Sequence, residues 1–431
     1  MKSRINGVFR QLYEWLAILF FLSLLISRRD LVGFSTIGMF VMAILIHKLD
    51  TGKWWDKSFG SVFTTGCFLF FLIQCLAFTY THNMKSGMKI FSTNLGIIVL
   101  PIAVLYSQVI NPETWGRLMK WYVGLLFITT AIALGFAGYL FARTGNTSVF
   151  FYHPLVKIYS NQAIQFSILV FISIVFLIEE SKKLVYFQSR KWVRFLLVYF
   201  SIFLFLLTSK LVITVYFIYI IYLILFTEEI TKNRHYRFAG LAIIGTALLV
   251  FALTNSPLRR RMIEDARTNF SVLKQDTFNP GDYFNGIQFR LMSWRFAFEI
   301  LNENRRWWLG VSPGDAQDML NEKYRKLNLY RGESSEKMGG YFIYHTHNQF
   351  LQALLETGVF GLAAFLLICT GMVQMAIRLK NRSMIILTAL LICYCFLDAV
   401  LKTQYGIILF IFFPLFLYKG KENQNSKLQS L

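Results

Sequence analysis

A succession of apolar runs, broken by short polar stretches and one long one, leaves this 431-residue chain little choice of fold. We count twelve: Leu12 to Ser27, Leu31 to Ile46, Val62 to Tyr80, Ile90 to Ile110, Trp121 to Phe141, Ala163 to Ile178, Phe195 to Thr208, Leu211 to Phe226, Phe238 to Leu253, Phe350 to Ile377, Met384 to Val400 and Tyr405 to Leu417. A helix of about 20 apolar residues crosses a hydrocarbon core of roughly 30 Å. Backbone polar groups in lipid must be satisfied within the segment, so such runs are helices. With 55% hydrophobic and 16% charged residues, the expected fold is an all-α polytopic membrane protein of about twelve transmembrane helices.

The run from Phe195 to Phe226 tests this reading. Its one charge, Lys210, stands at its middle. As a single helix it would reach about 48 Å at 1.5 Å per residue and would hold Lys210 near the bilayer centre, at a cost of roughly 2.5 to 3.5 kcal/mol. Two short spans turning at Ser209-Lys210 avoid both problems.

Positive charge then orients the chain. Of 44 Lys and Arg, 22 fall in the segments that are cytoplasmic if the N-terminus is inside, 8 in the short outer loops and 14 in the segment Thr254 to Thr346. Long loops translocate largely regardless of charge, so the long segment is expected outside and both termini inside. The formal charge of +21 is what the cytoplasmic loops of such a protein carry, and no nucleic-acid partner is expected. The basic start Lys2, Arg4 and Arg10 followed by an apolar run resembles a signal peptide, but no small-residue cleavage site follows, and it is read as the first retained helix. The five cysteines all lie in apolar runs, where thiols behave as small hydrophobes.

The expected organisation is a membrane domain over 1–253 with spans 1–9, an outer loop with short helices over 254–346, spans 10–12 over 347–418, and a polar, disordered cytoplasmic tail over 419–431. Within the loop, Ser312-Pro313-Gly314-Asp315 reads as a helix start, with a cap, a proline at the first position and an acid at the third. Phe284 to Leu301 places Arg290, Trp294 and Phe298 at helical spacing.

Three residues stand out for chemistry. Arg290 offers a rigid fork of donors for phosphate or carboxylate, or else snorkels over aromatics. Lys210 marks a tight outer hairpin, as an interface lysine also would. Histidine is the side chain that ordinarily takes a proton near neutral pH, and His347 stands at a membrane border beside His345 and Asn348; the plainer alternative is a cap on the helix starting near Phe350. His-x-His can bind metal, but no acid or cysteine cluster accompanies it in sequence, and no metal or other cofactor is expected. Gly358 and Gly361 fall early in that helix, where small residues let a neighbouring helix pack closely.

His347-Asn348, nine residues, Gly358, two residues and Gly361, at the end of a large loop in a twelve-span chain, resembles the O-antigen ligase family, which includes O-antigen polymerases and protein O-oligosaccharyltransferases. The resemblance implies a membrane-embedded, metal-independent glycosyltransferase. It would transfer a glycan from undecaprenyl diphosphate to an acceptor hydroxyl at the periplasmic face of the bacterial inner membrane, inverting the anomeric carbon. The acceptor would be lipid A core, or else a growing glycan or a protein. It further implies His347 as catalytic base, Arg290 as catalytic and diphosphate-binding, and Lys210, where the family often has arginine, as a second diphosphate cation without the bidentate fork. Lys210, Arg290 and His347 are then expected to line one cavity open to lipid. A flippase for the same glycan is the alternative from another class; such transporters commonly carry internal repeats and matching broken spans, and this chain shows neither.

Overall fold

The computed structural model describes residues 2–54, 60–106, 109–183, 187, 189–226, 268–279, 281–329, 341–342 and 344–429, with 245, 259, 260 and 263. Among them the principal helices are α1 (Lys2–Leu25), α2 (Arg29–Thr51), α3 (Val62–Ala77), α4 (Met84–Asn94), α5 (Gly96–Leu105), α6 (Pro112–Thr144), α7 (Ala163–Lys183), α8 (Arg190–Leu206), α9 (Lys210–Phe226), α10 (Gly286–Glu303), α11 (Ala316–Lys326), α12 (Gln349–Arg378), α13 (Arg382–Cys395) and α14 (Phe413–Gln429). No strand occurs among the described residues, and seven helical stretches there are long and apolar enough to cross a membrane. The chain is thus an all-α membrane protein. The expected ninth span, Phe238 to Leu253, lies outside the described residues apart from Gly245.

The chain forms two compact units, residues 1–13, 36–111 and 267–431 in the first, and residues 14–35 and 112–266 in the second. In the first, α3 and α12 lie face to face. Two glycines make the approach possible: a Cβ on Gly66 would sit 2.7 Å from the backbone nitrogen of Ile368, and one on Gly371 would run into the backbone of Phe63. Phe365 of α12 bridges Phe70 and Phe410, with ring centroids 6.2 and 5.6 Å away, and α5, α13 and α14 complete the packing.

Five differences from the sequence reading have local causes. The fourth span begins earlier than Ile90, as α4 and α5 joined at Leu95. α13 stops at Cys395 rather than continuing to Val400, so Asp398 falls in the turn beyond it. The loop helix α11 begins at Ala316: Ser312 does take the N–H of Asp315 (3.1 Å), but the Asp315 carboxylate caps nothing in its own helix. α14 continues to Gln429, through the stretch expected to be disordered.

The fifth concerns Gly358 and Gly361. Close helix packing falls on Gly66 and Gly371 instead. Gly358 has φ +65°, the left-handed region open to glycine, and kinks α12; a Cβ there would collide with the Trp308 carbonyl. The groups that the kink releases are taken by the loop 307–312: Val311 N–H donates to Leu355 O (2.8 Å), Ser312 N–H to Glu356 O (3.0 Å), and Val359 N–H to Trp307 O (2.9 Å). Irregular backbone within an apolar helix is tolerated when protein satisfies it in this way. A Cβ on Gly361 would meet the Thr357 side chain of its own helix.

In the second unit α7 is the most enclosed helix, packed by α6, α8 and α9. Tyr122 Oη donates to Leu169 O (2.8 Å), and Tyr199 Oη to Thr130 Oγ1 (3.1 Å). The chain turns between α8 and α9 through Thr208, with φ +46°, and Lys210 is the first residue of α9, so the long apolar run is two helices.

Replacing Gly358 by alanine forces a left-handed conformation costing about 1–2 kcal/mol, before any displacement of Trp308. Gly358→Ala and Gly371→Leu are expected to lower the thermal unfolding midpoint of the purified protein. Gly124→Ala, where a Cβ meets nothing within 4 Å, is expected to leave it unchanged.

Candidate active site

The helix α10 starts in a capping box: Asn285 Oδ1 accepts the Gln288 N–H (2.9 Å) and Gln288 Oε1 accepts the Asn285 N–H (2.9 Å). Such a cap contributes on the order of 1 kcal/mol and fixes where the first turn begins. Arg290 is therefore held at the entry to α10. Its Nη1 donates to Gly286 O (3.1 Å) and its Nε to Leu397 O (3.2 Å). One turn on, Trp294 Nε1 donates to Thr346 O at 2.9 Å, and Ser293 Oγ to the same carbonyl at 3.2 Å. α10 thus grips both the turn before His347 and the turn before Asp398.

The other face of α10 anchors the loop. Phe289, Met292, Phe296 and Ile300 are buried against Leu320 and Tyr324 of α11 and Leu355 of α12. Lys323 joins the two loop helices through Glu303 (2.5 Å) and Glu299 (3.1 Å). The loop is a packed layer, which lets it hold polar groups in place.

His347 does not cap α12. That place belongs to Asn348, whose Oδ1 accepts the Leu351 N–H at 3.1 Å. His347 instead has φ +48°, a conformation uncommon for a non-glycine residue, and its N–H donates to His345 Nδ1 (3.1 Å). Its ring lies beside Tyr344 (centroids 5.5 Å) and edge-on to Phe289 (6.3 Å). Nδ1 of His347 lies 3.4 Å from Asp398 Oδ1, and both side chains keep about a fifth of their surface exposed, 22% and 19%. A carboxylate at Nδ1 favours the proton there and leaves the Nε2 lone pair as acceptor, as in a histidine–aspartate dyad.

Burial would push the Asp398 carboxyl up, but the hydrogen bond from His347, the charges of both histidines and the Tyr394 hydroxyl (3.0 Å) bring it down to about 2. His345 is pushed down to about 3, first by burial and then by the charge of His347, with Asp398 opposing. His345 Nε2 lies 3.7 Å from Asp398 Oδ1.

Sequence reasoning missed Asp398. It sits in what reads as an apolar span, and an ionisable residue in such a run is itself a functional signal. It also corrects the premise that no acid accompanies His345 and His347: one ligand atom from each of the three lies within 4.8 Å of the others, a set that could hold a divalent metal. Glu356, inside the Phe350 to Ile377 run, was missed for the same reason, and Lys402, in the short loop after Val400, reads only as a loop charge. Lys402 Nζ meets Glu356 Oε1 at 2.6 Å, and Gln349 Oε1 accepts the Leu401 N–H at 2.7 Å, tying the segment after Asp398 to the first turns of α12.

Arg290 and His347 are thus brought together, on neighbouring residues of one turn, Leu397 and Asp398. Lys210 belongs to the other unit, at the start of α9.

Fold and site together define a many-helix membrane protein with a histidine–carboxylate pair beside a fixed guanidinium. A family model described as O-antigen ligase matches residues 195–366, a stretch that contains Lys210, Arg290, His347, Gly358 and Gly361 and stops short of Asp398. Over that stretch, about two fifths of its length, the chain is similar to the O-antigen ligase family, a family of glycosyltransferase-type enzymes. No curated protein matches the chain.

The electrostatics set an acid limit on the fold. His345 ordinarily takes a proton near 6.5, and here near 3, so the unfolded chain binds more protons between those values and stability falls as pH drops through that window. Asp398, ordinarily near 3.8 and here about 2, contributes above its ordinary value and loses that contribution as pH falls towards 2. The unfolding midpoint of the wild type is expected to decline from about pH 6.5 downwards, and that of His345→Gln to decline less between pH 6.5 and 4. Parallel curves for the two proteins would contradict this assignment.

Proposed function

We propose that the protein is an O-antigen ligase-like enzyme that transfers a glycan from undecaprenyl diphosphate to an acceptor hydroxyl, lipid A core in the first instance, at the periplasmic face of the inner membrane. The observation that carries this reading is the His347–Asp398 pair set beside Arg290 on a packed loop.

In this reading Nε2 of His347 takes the proton of the acceptor hydroxyl as its oxygen attacks the anomeric carbon. Asp398 holds the imidazole in the tautomer that leaves Nε2 basic and stabilises the imidazolium that forms. The bond from the anomeric carbon to the diphosphate oxygen breaks, the configuration inverts, and negative charge grows on the leaving diphosphate. Arg290 supplies a fixed cation for that charge, and a preorganised donor of this kind is worth roughly 2.7–4 kcal/mol in the transition state. Its anchors, Gly286 O and Leu397 O, orient the guanidinium before substrate arrives. Lys210 takes the second cationic role that the resemblance implies, as a point charge without a fork.

His347→Ala, Arg290→Ala and Lys210→Ala are expected to abolish or sharply lower transfer while the protein still inserts in the membrane, and Lys210→Arg to retain it. Normal surface polysaccharide in a strain carrying only His347→Ala would remove the base from this scheme. Gels of lipopolysaccharide and of glycoproteins from a deletion strain separate the acceptors. Loss of the long lipopolysaccharide ladder alone selects lipid A core, and loss of glycoproteins alone selects a protein acceptor. Activity of the purified enzyme is expected to survive chelation. Loss restored by a divalent cation would point instead to a metal that His345, His347 and Asp398 would hold and that would supply Lewis-acid activation of the acceptor hydroxyl.

A further inference from the structure

A polar cavity lies away from the His347–Asp398 pair, between the turn joining α3 to α4 and the loop helices, with a volume of about 730 Å³. That is within the range of pockets that enclose small organic ligands, roughly 300–1,000 Å³. Its walls are fixed before any ligand arrives. Asp315 accepts the backbone N–H groups of His82 (2.9 Å) and Asn83 (2.7 Å) and the Ser312 hydroxyl (2.9 Å), which stitches α11 to the α3–α4 turn. These bonds hold its carboxyl below its ordinary range despite burial. Tyr80 donates through its hydroxyl to Leu309 O, and Arg306 covers its ring at 5.7 Å. Val311, on the floor, is hydrogen-bonded to Leu355 in the helix that follows His347.

The lining chemistry selects a ligand class. Asp318, Glu322 and Arg325, at helical spacing on α11, line the cavity together with Tyr80 and Arg306. Counting Asp315, three carboxylates face two guanidinium groups, so the cavity has no excess of positive charge to draw in phosphate or uronate. Carboxylates that accept, guanidinium groups that donate and an aromatic side chain suit sugar hydroxyls, which both give and take hydrogen bonds. We propose that this cavity is a subsite for neutral or amino-bearing sugar units of the transferred glycan or of its acceptor, set apart from the diphosphate chemistry at Arg290. The proposal rests on the glycosyltransferase reading.

The test uses the full-length protein in detergent, wild type and the double variant Asp318→Ala, Glu322→Ala, with equal unfolding midpoints confirming that both are folded. Saturation-transfer NMR is run with a neutral tetrasaccharide, an amino-sugar tetrasaccharide and a tetragalacturonate. Transfer to the first two is expected with the wild type, lost in the double variant, and absent with the tetragalacturonate. Equal transfer to all three, or transfer undiminished in the double variant, overturns the subsite. In turnover assays the double variant is expected to raise KM about tenfold with kcat unchanged, the loss of hydrogen bonds to charged groups. A rise confined to the donor assigns the cavity to the transferred glycan, one confined to the acceptor assigns it to the receiving saccharide, and no rise for either overturns the proposal. Saccharide binding without any transfer activity would leave the subsite standing and remove only the glycosyltransferase reading.

Discussion

The Glu356 carboxylate is the charge around which the site-bearing unit is assembled. It is nearly inaccessible, 4% exposed in its side chain, and lies just before the kink at Gly358. Lys402 meets it at 2.6 Å and Gln352 Nε2 donates to it at 2.8 Å, while Gln74 of α3 approaches at 3.5 Å and in turn accepts from Asn94 of α4 at 3.2 Å. Gln352 also accepts from the Thr346 hydroxyl at 2.8 Å. Three side chains converge on one anion, two of them, Lys402 and Gln74, from segments distant in sequence. An uncompensated buried charge of this kind costs about 3–5 kcal/mol, so the partners hold each other in place.

The consequences reach the candidate site through short covalent links. Thr346 precedes His347, and its carbonyl is gripped by Trp294 and Ser293 of the helix that carries Arg290. Lys402 closes the turn that begins at Asp398. Moving Glu356 would therefore shift the histidine, its carboxylate and the guanidinium relative to one another. Preorganisation of this sort is what electrostatic stabilisation of a leaving diphosphate requires, since charges that must reorient during reaction lose much of their effect.

The kink at Gly358 joins the loop to the membrane helix. A straight α12 would have satisfied Leu355 O and Glu356 O internally and left the loop backbone without partners there. Breaking the helix passes those acceptors to Val311 and Ser312. The same splice supports Val311 in the lining of the polar cavity, so the kinked helix that follows His347 and the saccharide subsite share one structural element.

Much of this was legible in the amino-acid pattern. Apolar runs located most of the described membrane helices, and Lys210 in the middle of a long apolar run located the turn between α8 and α9, because a charge and an excess length are both penalised in hydrocarbon. Arg290 on an aromatic helix face and His347 before a helix could be singled out by residue type, and Asn285 and Asn348 are caps of the kind that mark helix starts. Asp398, Glu356 and Lys402 could not be paired, because a sequence gives no distance between residues 282 positions apart, as Gln74 and Glu356 are. The roles of the glycines could not be told apart either. Nothing in the sequence distinguishes Gly371, which admits Phe63, from Gly358, which admits the backbone of Trp308. The sequence by itself determined a polytopic helical protein and the residue types available for chemistry, since both follow from local apolarity and charge. Which carboxylate stands at Nδ1 of His347, and which backbone fills the space beside each glycine, only the tertiary structure decided, since both depend on contacts between segments far apart along the chain.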